Sequence, residues 1–409
     1  MKKEDKTPSR LIQLGKIYRL IEQFEEISRI ELSKLSGLAP ASITSLSRSL
    51  IEKRLIMEKT SRNTDNRGRP AIALCVSPFY WQALCATLME DRFEIILSEL
   101  DGVIIEQSVF PLQKDDLECL DKFLVKSVKQ FLAETHSLAR PITFSVTVGG
   151  ELDKNGYLIK LGCTKFAHLD LKSLFTPYFN IPILIAEYFK TWLLAESTLG
   201  NVINCDDVLF LQLDDEINLS VLSEGELLFS REQDKININH LIVPRLNELQ
   251  ALINHDLPEV ERYQVQHQVT HRAIAQFIDA LYPNRVFSNN SEKMNFLCEQ
   301  IQLKDKNALR IIEHITDCLA YILMNLVHIF PARRVMLNSS LLQLKDFLLE
   351  QLNRKLKSYL VDNISTVSVI AGKYEWNSPI VAASAIKQGI YDGSLLTSLV
   401  KQEENIINF

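Results

Sequence analysis

Ala41, Thr44, Ser45 and Arg48 stand three, four and seven residues apart, so on a helix turning about 100° per residue they share one face. Small side chains there would let the backbone approach a nucleic acid closely. Hydroxyls would reach base edges or phosphates, and the Arg48 guanidinium could fork onto a guanine. Ser42 and Lys53 flank this face as phosphate holders. Further on, Arg67-Gly68-Arg69-Pro70 sets two arginines around a glycine, with a proline that keeps the segment extended. Such a segment suits a narrow minor groove, where the negative potential is strongest. His267 and His271 are four residues apart, a metal-ligand spacing, but a zinc hydrolase needs glutamate where Gln268 stands. That pair reads as a solvated helix face, and no metal is expected.

Those residues need a helix, a turn and a second helix to hold them, and the stretch ISRIELSKLSGLAPASITSLSRSLIEKRLI supplies them. Ile30, Leu32 and Leu35 lie along the first helix, Gly37 is the left-handed turn residue, and Pro40 pre-sets φ in the first turn of the second. Ile43, Leu46 and Leu50 form the apolar side opposite the polar face. A helix over 11–24, with Leu14, Ile17, Ile21 and Phe24 on one side, braces this pair. After Leu55 come a short strand, a polar turn at 63–66 and a second strand from Ala71 to Val76, which together predict a winged helix-turn-helix. The alternatives are an ordinary helical hairpin with solvated hydroxyls and, for 67–70, a basic linker touching nothing.

A chain of 409 residues should hold two or three domains. Residues 1–75 carry 15 Lys and Arg against 9 Asp and Glu, so a head of formal charge +6 precedes a body of −12. That asymmetry suits a protein touching nucleic acid with one end only. Seven scattered cysteines, with no close pair, fit a reducing interior. With no signal-like apolar run and no membrane-length segment, the expectation is a cytoplasmic protein without membrane insertion.

From about residue 80 the pattern changes. Strands at 93–100 and 103–110 turn at Asp101-Gly102, a helix follows over 115–139, buried strands at 142–148 and 183–185, and a helix over 189–199. A second set places strands at 208–213, 217–222 and 227–229, long helices over 309–330 and 341–360, strands at 334–337 and 367–370, and a last helix from Pro379. Recurrence of strands and helices in two halves predicts a two-lobed α/β body. The expected division is 1–78 for the winged head with its linker, 79–200 for the first lobe, and 201–409 for the second, with the last helix returning to the first lobe.

The head motif, the following RGRPAI and the order of elements behind them resemble the ROK family, which includes sugar kinases and transcriptional repressors of N-acetylglucosamine, glucose and xylose metabolism. In the body the resemblance persists at SVTVGGELD (145–153), AESTLG (195–200) and GELLFSREQDKININHLIV (225–243). It implies an actin-like, hexokinase-like fold of two lobes. It also exposes departures from the kinases. Their phosphate-holding turns are glycine-rich, because only glycine lets successive backbone amides crowd an anion. Here the corresponding stretches, Ala86 to Phe93 and Glu216 to Ser220, contain none, the second follows Asp214 and Asp215, and the third, near Asn338-Ser339-Ser340, lacks its glycine pair. The chain holds only 13 glycines, about 3% against a usual 7% or so.

The family's general-base aspartate corresponds to Tyr188, after Glu187, and a phenol with a pKa near 10 is a poor base at neutral pH. Its zinc-binding histidine corresponds to His240, but Asn237 replaces the motif's glutamate and no cysteine lies between Cys205 and Cys298. The resemblance therefore implies no catalytic residues, no cofactor and no metal, and an effector pocket rebuilt around Glu187, Tyr188, Asn237 and His240. The leading expectation is a homodimeric regulator, pairing further into tetramers in one variant, that reads a pseudo-palindromic operator in double-stranded DNA and answers to a sugar or sugar phosphate. A second reading makes the body a protein-interaction module controlled by a protein partner. An active sugar kinase is the least favoured.

Overall fold

Proline at 40, glycine at 37 and apolar residues three and four apart divide the head into three helices, and a computed structural model of the chain carries them: α1 Ser9–Gln23, α2 Arg29–Ser36 and α3 Pro40–Glu52. The structure describes residues 9–60, 72–77, 80–135, 140–162, 164–198, 200–202, 205–213, 217–228, 236–287, 290–360, 367–374 and 378–400. Strands β1 Ile56–Thr60 and β2 Ile72–Val76 pair antiparallel, Ile56 opposite Val76 and Thr60 opposite Ile72, which gives the predicted wing. By packing, the chain divides into two units, Met1–Asn204 with Tyr374–Phe409, and Cys205–Lys373.

In the first unit, β3 Gln82–Leu88, β4 Arg92–Glu99, β5 Ile104–Pro111, β6 Pro141–Val148 and a strand at Ile183–Glu187 form one sheet. β6 lies parallel to β3 and to the 183–187 strand, whereas β3, β4 and β5 run antiparallel. Successive residues of a strand point to opposite faces. Leu84, Ala86 and Leu88 therefore join Phe93, Ile95 and Leu97 in a core with the helix at Leu120–Glu134. Ala83, Cys85 and Ile96 face the other way, onto the C-terminal helix Val381–Tyr391 and the buried residues of α1, α2 and α3. Head and first sheet thus share a hydrophobic core. β3, whose run QALCATL is covered on both faces and shows no alternation, was not predicted as a strand, and neither was a small sheet of strands Glu151–Leu152, Leu158–Leu161 and Thr164–Leu169.

The second unit has its own sheet. Val208–Leu213 runs antiparallel to Ile217–Ser223 and parallel to Arg334–Asn338, which in turn pairs with Ser368–Ala371. The helix Lys306–Ile329 buries an apolar stripe from Ala308 to Val327 in that unit's core. Two mixed sheets with helices bear out the α/β expectation. No helix among the described residues is long and apolar enough to cross a membrane.

Candidate nucleic-acid interface

The helix-turn-helix is fixed by its caps. Ser28 accepts the Glu31 backbone N–H at 3.2 Å while the Glu31 carboxylate accepts the Ser28 N–H at 2.9 Å, a reciprocal box that satisfies two otherwise orphan donors. Hydrogen bonds from the Ser28 backbone and side chain hold the Glu31 carboxyl below its ordinary range. α2 ends at Gly37 with φ 69°, a conformation that a Cβ would strain. The Ser33 hydroxyl donates to the Leu38 carbonyl at 2.7 Å and pins the turn. Pro40 then opens α3 at a position whose N–H needs no partner.

Ile43, Leu46 and Leu50 are buried, and Ala41, Ser42, Thr44, Ser45 and Arg48 are all exposed, so the predicted recognition face faces outward. The Thr44 hydroxyl donates to the Pro40 carbonyl at 2.9 Å, which leaves its oxygen lone pairs free to accept. In α2 the outcome differs from the apolar pattern: only Leu32 is buried, while Ile30 is 70% and Leu35 53% exposed. Eight residues present a narrow stripe, and the core takes only its centre.

A set of residues that the sequence reading missed fixes the angle between the two helices. Arg29 donates from Nε to the buried Ser47 Oγ at 3.0 Å and from Nη2 to Glu58 Oε1 at 2.6 Å, which joins α2, α3 and β1. Its one sequence signal is a serine at position 47 beside the apolar face of α3. The structure also corrects Lys53. Its ammonium donates to the Leu396 carbonyl at 3.1 Å, burial lowers its pKa, and its own carbonyl accepts the Trp81 indole N–H at 2.8 Å. Lys53 therefore anchors the end of α3 to the body and is not turned out to hold phosphate. Arg67 and Arg69 lie outside the described residues.

The four residues expected to form an effector pocket fall in different units, Glu187 and Tyr188 in the first, Asn237 and His240 in the second. Glu187 ends its strand and accepts the Leu152 N–H at 3.0 Å. Tyr188 is 1% exposed, its hydroxyl donating to the Ser378 carbonyl at 3.2 Å and its ring edge-on to Trp192, so it serves the core and offers no open phenol to a ligand. Asn237 accepts the Asn239 N–H at 2.9 Å, and His240 Nδ1 lies 3.0 Å from Gln264 Oε1. His267 and His271 do not share a helix: the first sits in Gln266–Val269, Thr270 caps a new helix, and the second opens it. Gln268 is buried and its amide donates to the Arg262 carbonyl at 2.7 Å, which corrects the expectation of a solvated face. The kinase-like turn at 86–93 is here the tight β3–β4 hairpin, closed by Met89 N–H to the Arg92 carbonyl at 2.9 Å and carrying Glu90 and Asp91, which repel phosphate.

No family model matches the chain. Along almost its whole length, however, it is 25% identical over 392 residues to the DNA-binding transcriptional repressor Mlc of Escherichia coli K12, covering 95% of each chain. The chain is a homologue of the ROK-family transcriptional regulators. The crystal structure of a ROK-family transcriptional regulator, described as a homologue of the E. coli Mlc protein, superposes with a TM-score of 0.76 at 22% identity, covering 96% of this chain and 99% of that one. A ROK hexokinase from Thermus thermophilus superposes at 0.59 and 16% identity, covering 78% of this chain and 99% of its own. This ROK homologue therefore has the hexokinase-like body fold.

Proposed function

We propose that this chain is a sequence-specific DNA-binding repressor of sugar-utilisation genes. The observation that carries the reading is the exposed face of α3, small, hydroxylic and basic, held outward by the Gly37 turn and the Arg29–Ser47–Glu58 bridge. The 1–78 head reads the DNA, and 79–200 and 201–409 serve as the body. Thr44, Ser45 and Arg48 read base edges, Ala41 allows close approach, Ser42 holds phosphate, and Arg67 and Arg69 enter the adjacent minor groove. A cytoplasmic homodimer would present two such heads to a pseudo-palindromic operator. The body has no phosphoryl-transfer role: the glycine-poor turns and the buried Tyr188 argue against one, and a coupled ATP assay with hexoses should give no turnover. The test is a base-by-base operator scan. Arg48→Ala should cost about 1–3 kcal/mol of binding and relax preference at one base position. Equal weakening on every sequence would make Arg48 a phosphate contact and remove the central specificity residue.

A further inference from the structure

Between β2 of the head and β3 of the body only residues 77–81 intervene. A short connection alone would still let a head swivel on its body. Here the connection is tied back onto the end of α3. The Ser77 N–H donates to the Leu55 carbonyl at 3.0 Å, and the Trp81 indole N–H donates to the Lys53 carbonyl at 2.8 Å. The Tyr80 ring carries two guanidiniums, Arg54 of the head at 4.3 Å from its centre and Arg140, just before β6, at 4.7 Å. One ring thereby joins the end of the recognition helix to the first sheet.

A second anchor lies on α1. Lys387 of the C-terminal helix is 1% exposed, a rare place for a lysine, and its ammonium is paired with the Glu22 carboxylate near the end of α1. The Tyr391 hydroxyl donates to the other oxygen of that carboxylate. Stability does not explain such a pair, because apolar residues of similar volume at both positions often serve a fold equally well. Direction does distinguish it. Apolar contact tolerates sliding, whereas one carboxylate held by an ammonium and a phenol fixes α1 in one register against the C-terminal helix. The buried sides of α1 and α3 belong to one core, so the register of α1 sets the position of the recognition helix.

We propose that Glu22, Lys387 and Trp81 are positioning residues for DNA reading: they hold the head at one angle on the first unit, so that a dimer accepts one spacing of operator half-sites. This rests on the DNA-binding reading above. Moving one half-site by a single base pair shifts it by about 3.4 Å along the DNA and turns it by about 35°. Shared between two heads, the demand on each is about 2 Å and 17°. A tethered head would follow that change. A head held by directional bonds on two helices must break one of them or release its half-site, and a dimer bound through one head loses the gain of double engagement.

The test is a library of inverted repeats of the selected half-site, stepped one base pair at a time over a full helical turn and competed for limiting full-length protein. At about 0.15 M salt the wild type should prefer one spacing to its immediate neighbours by about tenfold or more. Two variants loosen the two anchors. Glu22→Leu with Lys387→Met replaces the ion pair by apolar volume, and Trp81→Phe keeps the ring but removes the indole donor. In each, the preference should fall to about threefold or less, with the base preference inside the half-site unchanged. A merely structural role would lower binding to every spacing alike and leave the ratio at its wild-type value. That ratio retained in both variants, or a wild type that binds neighbouring spacings equally, would overturn the assignment while leaving the repressor reading standing. A wild type that selects no inverted repeat would overturn the DNA-binding reading, and this assignment with it.

Discussion

Replacing Gly15 by alanine should destabilise the protein, against the ordinary expectation for a glycine inside a helix. In an open helix the change gains up to about 1 kcal/mol. Here the added Cβ would lie 2.5 Å from the Ile390 carbonyl oxygen and closer still to that of Tyr391. Both are backbone atoms at the end of a helix and cannot swing aside. To restore normal contact, α1 must retreat by roughly 1 Å, at the expense of the buried packing of Ile17, Tyr18 and Ile21. Overpacking of this kind costs about 1–3 kcal/mol and falls toward the upper end when backbone resists. After subtracting the helix gain, a net loss of about 1–2 kcal/mol remains. Urea unfolding followed by circular dichroism, compared at equal slope, measures it. Unchanged or increased stability would show that α1 is not docked on the C-terminal helix, and the shared core of head and body would go with it.

Other outcomes follow from single contacts. His314 is buried among Asn247, Gln268 and Cys318, and burial first, then Lys355, lowers its pKa to about 4. Since the unfolded chain binds that proton near pH 6.5, the contribution of neutral His314 is complete above about 6.5 and is lost as pH falls toward 4, by at most about 3 kcal/mol. Unfolding free energies of wild type and His314→Gln should therefore diverge in slope across that window, and parallel curves would refute the assignment. Lys53→Ala should leave the salt dependence of DNA binding unchanged, because its ammonium is committed to Leu396; a slope reduced by about one would restore it as a phosphate contact.

Local signals made the head readable. A glycine that must be left-handed, a proline that can only open a helix, and apolar residues at helical spacing placed α2 and α3 within a residue or two. Long-range commitments were not readable. Nothing near Lys53 reveals a carbonyl 343 residues away, and nothing near Lys387 reveals Glu22. β3 escaped because a strand covered on both faces loses its alternation. The pairing of His267 and His271 failed at Thr270, whose hydroxyl accepts the Ala273 N–H and starts a second helix. Tyr188 fell between the strand read at 183–185 and the helix read at 189–199, and it opens that helix, but its burial came from Ser378 and Trp192, which no local pattern announces.

The central claim is that the face of α3 reads specific DNA. Selection of bound fragments from genomic DNA by the purified protein, at about 0.15 M salt where purely electrostatic binding is weak, tests it most directly. Recovery of a small set of sites sharing an inverted repeat, and its loss in Arg48→Ala, is the predicted result. Recovery of random fragments that modest salt releases equally well from wild type and variant would contradict it.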